Sequence, residues 1–394
     1  MNERLVTEPL RLFSLCASPR VIPFFSPICD YASALGHETH IVSAPAEAGQ
    51  TIATSAQHRY HSVDIARNMD PLDDAVCLGQ LIKLMHKIKP DVVHAHGPKA
   101  GLLGMLAGAV TRVPARIYTV HGLRHETLTG AKLQLVKRLE SLSAGVAHEV
   151  VCVSESVRTH AERDGLFSAA RARLIAQGSA TGVDAETRFV PEQHRAAGRE
   201  IRASLGLAES DLLVGFVGRF ARDKGILELG EAMSLVQRQL PHVHLLMAGE
   251  TDSTDPISLE PLRSLPRVHF LSHQAHQAPV FAALDLLVLP TYREGFPQVL
   301  LEAAAMEIAA VASDVTGCCD AIIDGQTGRL VPARDAAALA EGMVALLVDQ
   351  KTRRTMGKAA RQRVLSDFRS EPIAQKTLEL YLEVLERSGR RRGR

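Results

Sequence analysis

No two cysteines in this chain have the CxxC spacing of a zinc or redox site. Six cysteines are present (Cys16, Cys29, Cys77, Cys152, Cys318, Cys319) and no secretory signal introduces them, which disfavours a disulfide framework and a zinc cluster alike. Adjacent Cys318 and Cys319 can bind metal or close a strained vicinal disulfide, but disulfides are scarce in the cytosol, so they read as free thiols. A reducing cytoplasm is the expected compartment. An excess of charge is lacking too: 45 Lys and Arg against 44 Asp and Glu leave a formal net charge of +1. Nucleic-acid proteins usually carry a pronounced basic excess, so no nucleic-acid partner is expected, and any anionic ligand has to be met locally. Long apolar runs are also missing. The richest candidate, Gly101 to Val110, falls well short of the roughly 20 residues that a membrane-spanning helix needs.

What is present is enough chain for two cores: 394 residues, 46% hydrophobic and 23% charged. In the first half, Leu10 to Leu15, Glu38 to Val42, Val92 to Ala95, Ala115 to Val120 and Glu149 to Val153 read as strands with helical pattern between them. That alternation predicts a parallel sheet with helices on both faces. The pattern restarts with Leu212 to Val217, His242 to Ala248, Val268 to Leu271, Leu286 to Pro290 and Ala309 to Ala312. Two successive α/β domains are therefore expected, 1–190 and 200–370. The polar stretch Asp184 to Ser210, with Pro191 and Gly198, fits a linker and a leading helix. Amphipathic pattern over 371–386 predicts a final helix. A basic tail over 387–394, with five arginines (Arg387, Arg390, Arg391, Arg392, Arg394), is expected to be disordered and able to touch anionic lipid.

The stretch richest in chemistry is Tyr292-Arg293-Glu294-Gly295-Phe296-Pro297-Gln298-Val299-Leu300-Leu301-Glu302, with seven residues between its glutamates. Ahead of it, the apolar run Ala283 to Pro290 reads as a buried parallel strand; behind it, Gln298 to Met306 reads as helix. A strand end, a glycine-containing turn and a new helix N-terminus make an anion site, because unpaired N–H groups and the helix dipole favour phosphate. A carboxylate beside a phosphate needs a neutral, hydroxyl-rich partner, so Glu294 facing a sugar and Glu302 accepting from a ribose would suit a nucleotide sugar. Solvated glutamates on an ordinary loop and helix are the plain alternative. A second loop, Gly218-Arg219-Phe220-Ala221-Arg222-Asp223-Lys224-Gly225, follows the strand Leu212 to Val217. Its glycine lies at the carboxyl end of a strand, where ligands bind in open α/β sheets, and Arg219 and Lys224 can neutralise a diphosphate.

The run Glu294 to Glu302 resembles the two-glutamate signature of retaining glycosyltransferases with the GT-B fold, and Leu289 to Ala304 resembles glycosyltransferase family 4. Further matches extend from about Asp91 to Leu385. The resemblance implies an α/β, GT-B architecture: two Rossmann-like parallel-sheet domains facing a cleft that holds the active site, with the C-terminal helix crossing back to the first domain. It implies donor diphosphate binding by Gly218, Arg219, Lys224, Phe296, Pro297, Gln298, Val299 and Leu300, with Glu302 on the ribose and Glu294 catalytic. Fixed cations there would stabilise the departing diphosphate most in the transition state. His121, at the end of the strand run Ile117-Tyr118-Thr119-Val120-His121-Gly122, resembles the family's active-site histidine, whose backbone carbonyl or ring supports the developing oxocarbenium ion. No essential metal and no other cofactor is implied.

In Asp91-Val92-Val93-His94-Ala95-His96-Gly97-Pro98-Lys99-Ala100-Gly101, two histidines share one face of a strand end. A metal site is conceivable; hydrogen-bonded sheet-end histidines are the preferred reading. Gly97 to Gly101 and Gln177 to Asp184 resemble the family 4 subgroup that builds capsule, O-antigen and lipid-linked oligosaccharides. The chain departs from the family in two places. Ser18 to Phe25 replaces a glycine-rich loop, so phosphate contact there must differ, and the glycine usual after Val268 to Leu271 gives way to His273 beyond Ser272. Arg20, Lys99 and Arg124 are acceptor-side candidates, a rigid packed loop being the alternative for the Arg20 segment. Basic amphipathic faces around Lys83 and Lys87, and around Lys132, Lys137 and Arg138, suit either solvent or an anionic membrane.

These features predict transfer of a hexosyl or N-acetylhexosaminyl group from a nucleotide sugar, a UDP-sugar by subgroup resemblance, to a lipid-linked or nascent glycan. The site would be cytoplasmic or peripheral on the inner face of the cell membrane. A nucleotide-sugar epimerase or hydrolase on the same fold, and a non-catalytic partner subunit, are the rival readings.

Overall fold

The structure is a computed structural model that describes residues 8–45, 58–65, 70–251, 257–272, 274 and 276–389. His273 and the arginines beyond Gly389 lie outside the described residues. The chain divides into two units, 1–181 with 370–394, and 182–369. The division falls ahead of the expected linker, because Val183 already donates to Phe368 O at 2.8 Å and bridges Arg369.

The first unit is a seven-stranded parallel sheet built from β1 (Arg11–Cys16), β2 (Glu38–Ser43), β3 (Arg59–Ser62), β4 (Val92–His96), β5 (Ala115–Val120), β6 (Glu149–Cys152) and β7 (Ala172–Leu174), in the order β3-β2-β1-β4-β5-β6-β7. The inner strands are buried on both faces, which is why they read as apolar runs. The edge strands β3 and β7 are only four and three residues long and are partly exposed, so they carry no such signal. The helix Ser370–Arg387 belongs to this unit: Ile373, Ala374, Leu378, Tyr381 and Val384 join Phe25, Ile28 and Cys29 in one apolar cluster. Arg387 closes that helix and donates to Glu149 Oε2 at 2.6 Å, so it is ordered helix and no part of a disordered tail.

The second unit holds six parallel strands, β8 (Leu212–Val217), β9 (Val243–Ala248), β10 (Val268–Leu271), β11 (Leu286–Leu289), β12 (Ala310–Ser313) and β13 (Arg329–Val331), in the order β10-β9-β8-β11-β12-β13. Ala283 ends the preceding helix Ala278–Ala283 and is not part of β11, because Leu284 and Asp285 make the turn between them. Each sheet reverses its strand order once, between β1 and β4 and between β8 and β11. A crevice opens outside the carboxyl ends of the strands at such a point, and it is the usual ligand position in this architecture.

Candidate functional site

In the second unit the residues singled out by sequence meet at the β8/β11 reversal. Beyond β8, Phe220 N donates to Glu250 O at 2.8 Å and the ring is buried, which pins the Gly218 loop. Gly225, at φ +67°, ends the short turn Arg222–Lys224, and any side chain there would run into the carbonyl of Pro290 beyond β11. Only glycine fits that approach. The two loops are then laced together: Tyr292 N and Thr291 Oγ1 both donate to Asp223 O, at 2.9 and 3.1 Å. As a result Lys224 Nζ donates to Glu294 Oε1 at 2.5 Å.

Asp223 organises the cations around this pair. Its Oδ1 lies 3.9 Å from Arg219 Nη2 and its Oδ2 lies 3.4 Å from Arg293 Nη2. Neither Asp223 nor Arg293 was singled out for a role by the sequence, although both lie inside the two quoted motifs. Arg293 Nε is buried and has no hydrogen-bond partner among the described residues. Three cations and two carboxylates thus occupy the carboxyl ends of β8 and β11, an arrangement that can hold a polyanion with its counter-charges already fixed.

The helix Gln298–Ala305 starts at Pro297 without a side-chain cap; Leu300 N turns back to Pro297 O at 3.0 Å, which leaves the N–H groups of Gln298 and Val299 as those an anion could meet. Phe296, Pro297 and Leu300 are buried, Phe296 against Phe368 at 5.2 Å between ring centroids, and can offer only backbone atoms. Gln298 spends its side chain on Gly182 O at 2.5 Å. Glu302, about one turn along, is half-buried. Burial pushes its carboxyl up to about 7, with Arg188 opposing the shift.

In the first unit His121 follows β5 and faces a second cluster. His121 Nε2 and His96 Nδ1, at the end of β4, are 3.0 Å apart. Phe25 stacks on the His96 ring at 4.4 Å and 11°, and His94 packs on it at 4.1 Å. His94 is itself held at both nitrogens, by Tyr381 OH and Thr119 Oγ1, each at 2.6 Å. Burial lowers the pKa of His121 to about 4 and of His94 to about 3, and carries His96 well below its ordinary value, so all three rings are neutral. With both nitrogens engaged, His94 has none left for a metal. Among the described residues no group of three His, Cys, Asp or Glu side chains is arranged to hold one.

The acceptor-side candidates are scattered by comparison. Arg20 is exposed on the short helical turn Pro19–Phe24, whose Ser18 cap accepts from Arg20 N at 3.4 Å. Lys99 donates to Asp74 Oδ1 at 2.6 Å and ties the helix Pro98–Val110 to the helix Pro71–Ile88. Arg124 is exposed on the turn Arg124–Thr127. That turn is anchored by His125, whose Nδ1 lies 3.2 Å from Glu140 Oε2 and whose Nε2 lies 2.7 Å from Asp164 Oδ2. Lys137 joins the same network, 3.5 Å from Asp164, and so does not contribute to an open basic face. Cys318 is buried and Cys319 exposed, both as free thiols.

Comparison with known proteins agrees with this layout. The profile described as Glycosyltransferase Family 4 matches residues 28–182, and that described as Glycosyl transferases group 1 matches residues 198–363. The chain is 29% identical over 381 residues to the capsular polysaccharide biosynthesis glycosyltransferase CapM of Staphylococcus aureus, covering 96% of this chain and 98% of that one. It is 29% identical over 310 residues to the N,N'-diacetylbacillosaminyl-diphospho-undecaprenol alpha-1,3-N-acetylgalactosaminyltransferase of Campylobacter jejuni, covering 77% and 80%. Among solved structures, Anabaena HepE in complex with UDP and glucose superposes with a TM-score of 0.80 at 18% identity, covering 95% of this chain and all of that one. With one profile on each unit and a GT-B neighbour spanning both, the chain belongs to glycosyltransferase family 4 and is a glycosyltransferase of GT-B fold.

Proposed function

We propose that this glycosyltransferase moves a hexosyl or N-acetylhexosaminyl group, with retention of anomeric configuration, from a UDP-sugar to a lipid-linked or nascent glycan in cell-surface polysaccharide synthesis. The observation that carries the donor side is the convergence of Arg219, Lys224, Arg293 and Glu294 at the β8/β11 reversal. Fixed cations beside an uncapped helix N-terminus favour a leaving diphosphate, and a carboxylate among them favours a hydroxyl-bearing neighbour. Glu302 would accept from the ribose, and His121 would support the reacting carbon. The UDP and lipid-diphosphate assignments draw on the similarity to HepE, which was solved with UDP, and to the Campylobacter enzyme, whose name specifies a diphospho-undecaprenol acceptor.

A polyprenyl-linked acceptor implies work at a membrane surface. No described helix is long and apolar enough to cross one. The helix Pro71–Ile88, however, carries Leu72 (80% exposed) and Val76 (62% exposed) on the same face as exposed Lys83 and Lys87. Apolar and cationic groups on one exposed face suit an anionic bilayer.

Thermal stabilisation by UDP, GDP, ADP and their sugars, on wild type, Arg219→Ala and Glu294→Ala, tests the donor side. UDP and one UDP-sugar should stabilise the wild type, and Arg219→Ala should abolish the shift. Incubation of that UDP-sugar with undecaprenyl-diphosphate-linked sugars should then give an extended lipid product, with the donor's anomeric configuration read by NMR. Stabilisation by GDP or ADP alone, or an inverted product, would overturn the assignment.

A further inference from the structure

We infer that His96 is a positioning residue: its ring locks His121 as the single tautomer that carries its proton on Nδ1. The contact is the 3.0 Å approach of His96 Nδ1 to His121 Nε2, which one proton must bridge. Two assignments are open to a pair of neutral imidazoles, and the far side of His96 chooses between them. Its Nε2 is buried and has no hydrogen-bond partner among the described residues. If His121 were the donor, the single proton of His96 would have to sit on that Nε2, as a buried N–H with nothing to bond. Orphaned buried N–H groups are rare and cost more than they return, whereas an unfilled acceptor is better tolerated. His96 therefore holds its proton on Nδ1 and donates, His121 Nε2 accepts, and the proton of His121 is left on Nδ1.

The His96 ring has no freedom to turn away from this duty. It is 3% exposed, lies flat against Phe25, and packs against a His94 ring that Thr119 and Tyr381 hold at both nitrogens. Tyr381 comes from the C-terminal helix, so that helix stands two rings away from His121. Burial keeps His96 and His121 neutral, so the lock holds across the physiological range. The consequence is that His121 presents a hydrogen-bond donor at Nδ1 and has no free base at Nε2. Phe24, edge-on to His121 at 6.1 Å, flanks the ring.

Nitrogen-15 imidazole NMR on full-length protein reads the tautomer directly, with His121→Gln identifying the His121 signals. The wild type should show His121 protonated at Nδ1 and neutral from pH 5 to pH 9. His96→Asn places an amide N–H where Nδ1 stood and should restore the single tautomer. His96→Gln, whose amide falls nearer the Nε2 position, should give mixed tautomers and a His121 titration closer to the ordinary value, although both variants remove the same ring. A wild-type His121 protonated at Nε2, or a His121 tautomer indifferent to His96→Gln in a folded variant, would overturn the inference. The kinetic arm rests on the reading of His121 as a donor-side residue: hydrolysis of the UDP-sugar that gives the largest thermal shift should lose roughly tenfold to a hundredfold in kcat in His96→Gln with little change in KM. Tautomer loss without a kcat change would uphold the lock and overturn that reading of His121 instead.

Discussion

Lys224 Nζ and Glu294 Oε1 form an ion pair at 2.5 Å, which joins the cation expected to bind diphosphate to the carboxylate expected to face a sugar. Each group is the other's counter-ion while no ligand is bound. On the proposed donor-site reading, a diphosphate that draws Lys224 from Glu294 would couple donor binding to the release of Glu294.

Removing the competitor should therefore strengthen nucleotide binding. Glu294→Gln is expected to tighten UDP binding several-fold while abolishing transfer. Lys224→Ala leaves an unpaired carboxylate beside the phosphates and should weaken UDP roughly tenfold to a hundredfold, in keeping with one charged hydrogen bond. Isothermal titration of UDP into the three proteins checks the opposite signs. Weakening by both substitutions would show that Glu294 does not compete for Lys224.

Glu302 gives a pH dependence of stability. Burial raises its carboxyl from the ordinary carboxylate value to about 7, so the folded protein holds this proton more tightly than the unfolded chain. The contribution is complete below the unfolded value and is lost as pH rises through about 7. Glu302→Gln, which cannot ionise, should gain about 2 kcal/mol relative to wild type between pH 5 and pH 8.5. Urea unfolding of both proteins at the two pH values would detect it, and an unchanged difference would show that Glu302 is ionised throughout.

His125 behaves differently. Burial alone would lower its pKa, but hydrogen bonds and charge from Glu140 and Asp164 outweigh burial and raise it. Its stabilisation is present in full below about pH 6.5 and fades as pH rises through the higher folded value. Melting temperatures of His125→Gln should fall furthest below wild type near pH 6 and converge toward it by pH 9. A constant gap would assign His125 a packing role only.

The exposed face of the helix Pro71–Ile88 should bind anionic vesicles. Lys83→Glu with Lys87→Glu reverses two charges, each cation being worth about 1 kcal/mol at such a surface, so sedimentation with phosphatidylserine vesicles should drop well over tenfold. Leu72→Ser with Val76→Ser should weaken binding without altering its salt dependence. Binding that survives all four changes would place the contact elsewhere.

The sequence made the inner strands legible because a parallel strand covered on both faces must be continuously apolar, as in Leu212–Val217 and Ala115–Val120. Arg59–Ser62 and Arg329–Val331 were missed because edge strands of four and three residues, exposed on one side, are too short to show a run. The site was legible as two motifs but not as one network. Lys224 and Glu294 stand 70 residues apart, and nothing local announces that Asp223 O receives both Thr291 and Tyr292. His94 illustrates the same limit: its partner Tyr381 lies 287 residues away, and a pair of histidines on one strand looks like a metal motif until that hydroxyl is seen.

The C-terminal helix also sets an order of events during synthesis. Residues 182–369 are contiguous and can complete their unit while translation is still under way, whereas the unit begun by residues 1–181 is finished by residues 370–394. Until Ile373, Leu378 and Tyr381 leave the ribosome, the apolar cluster around Phe25, Ile28 and Cys29 lacks the C-terminal helix's share of its packing and His94 lacks its hydroxyl. The domain translated first is thus the last to close, and a nascent chain cut short before residue 370 would expose the unfinished core as a handle for chaperones and proteases.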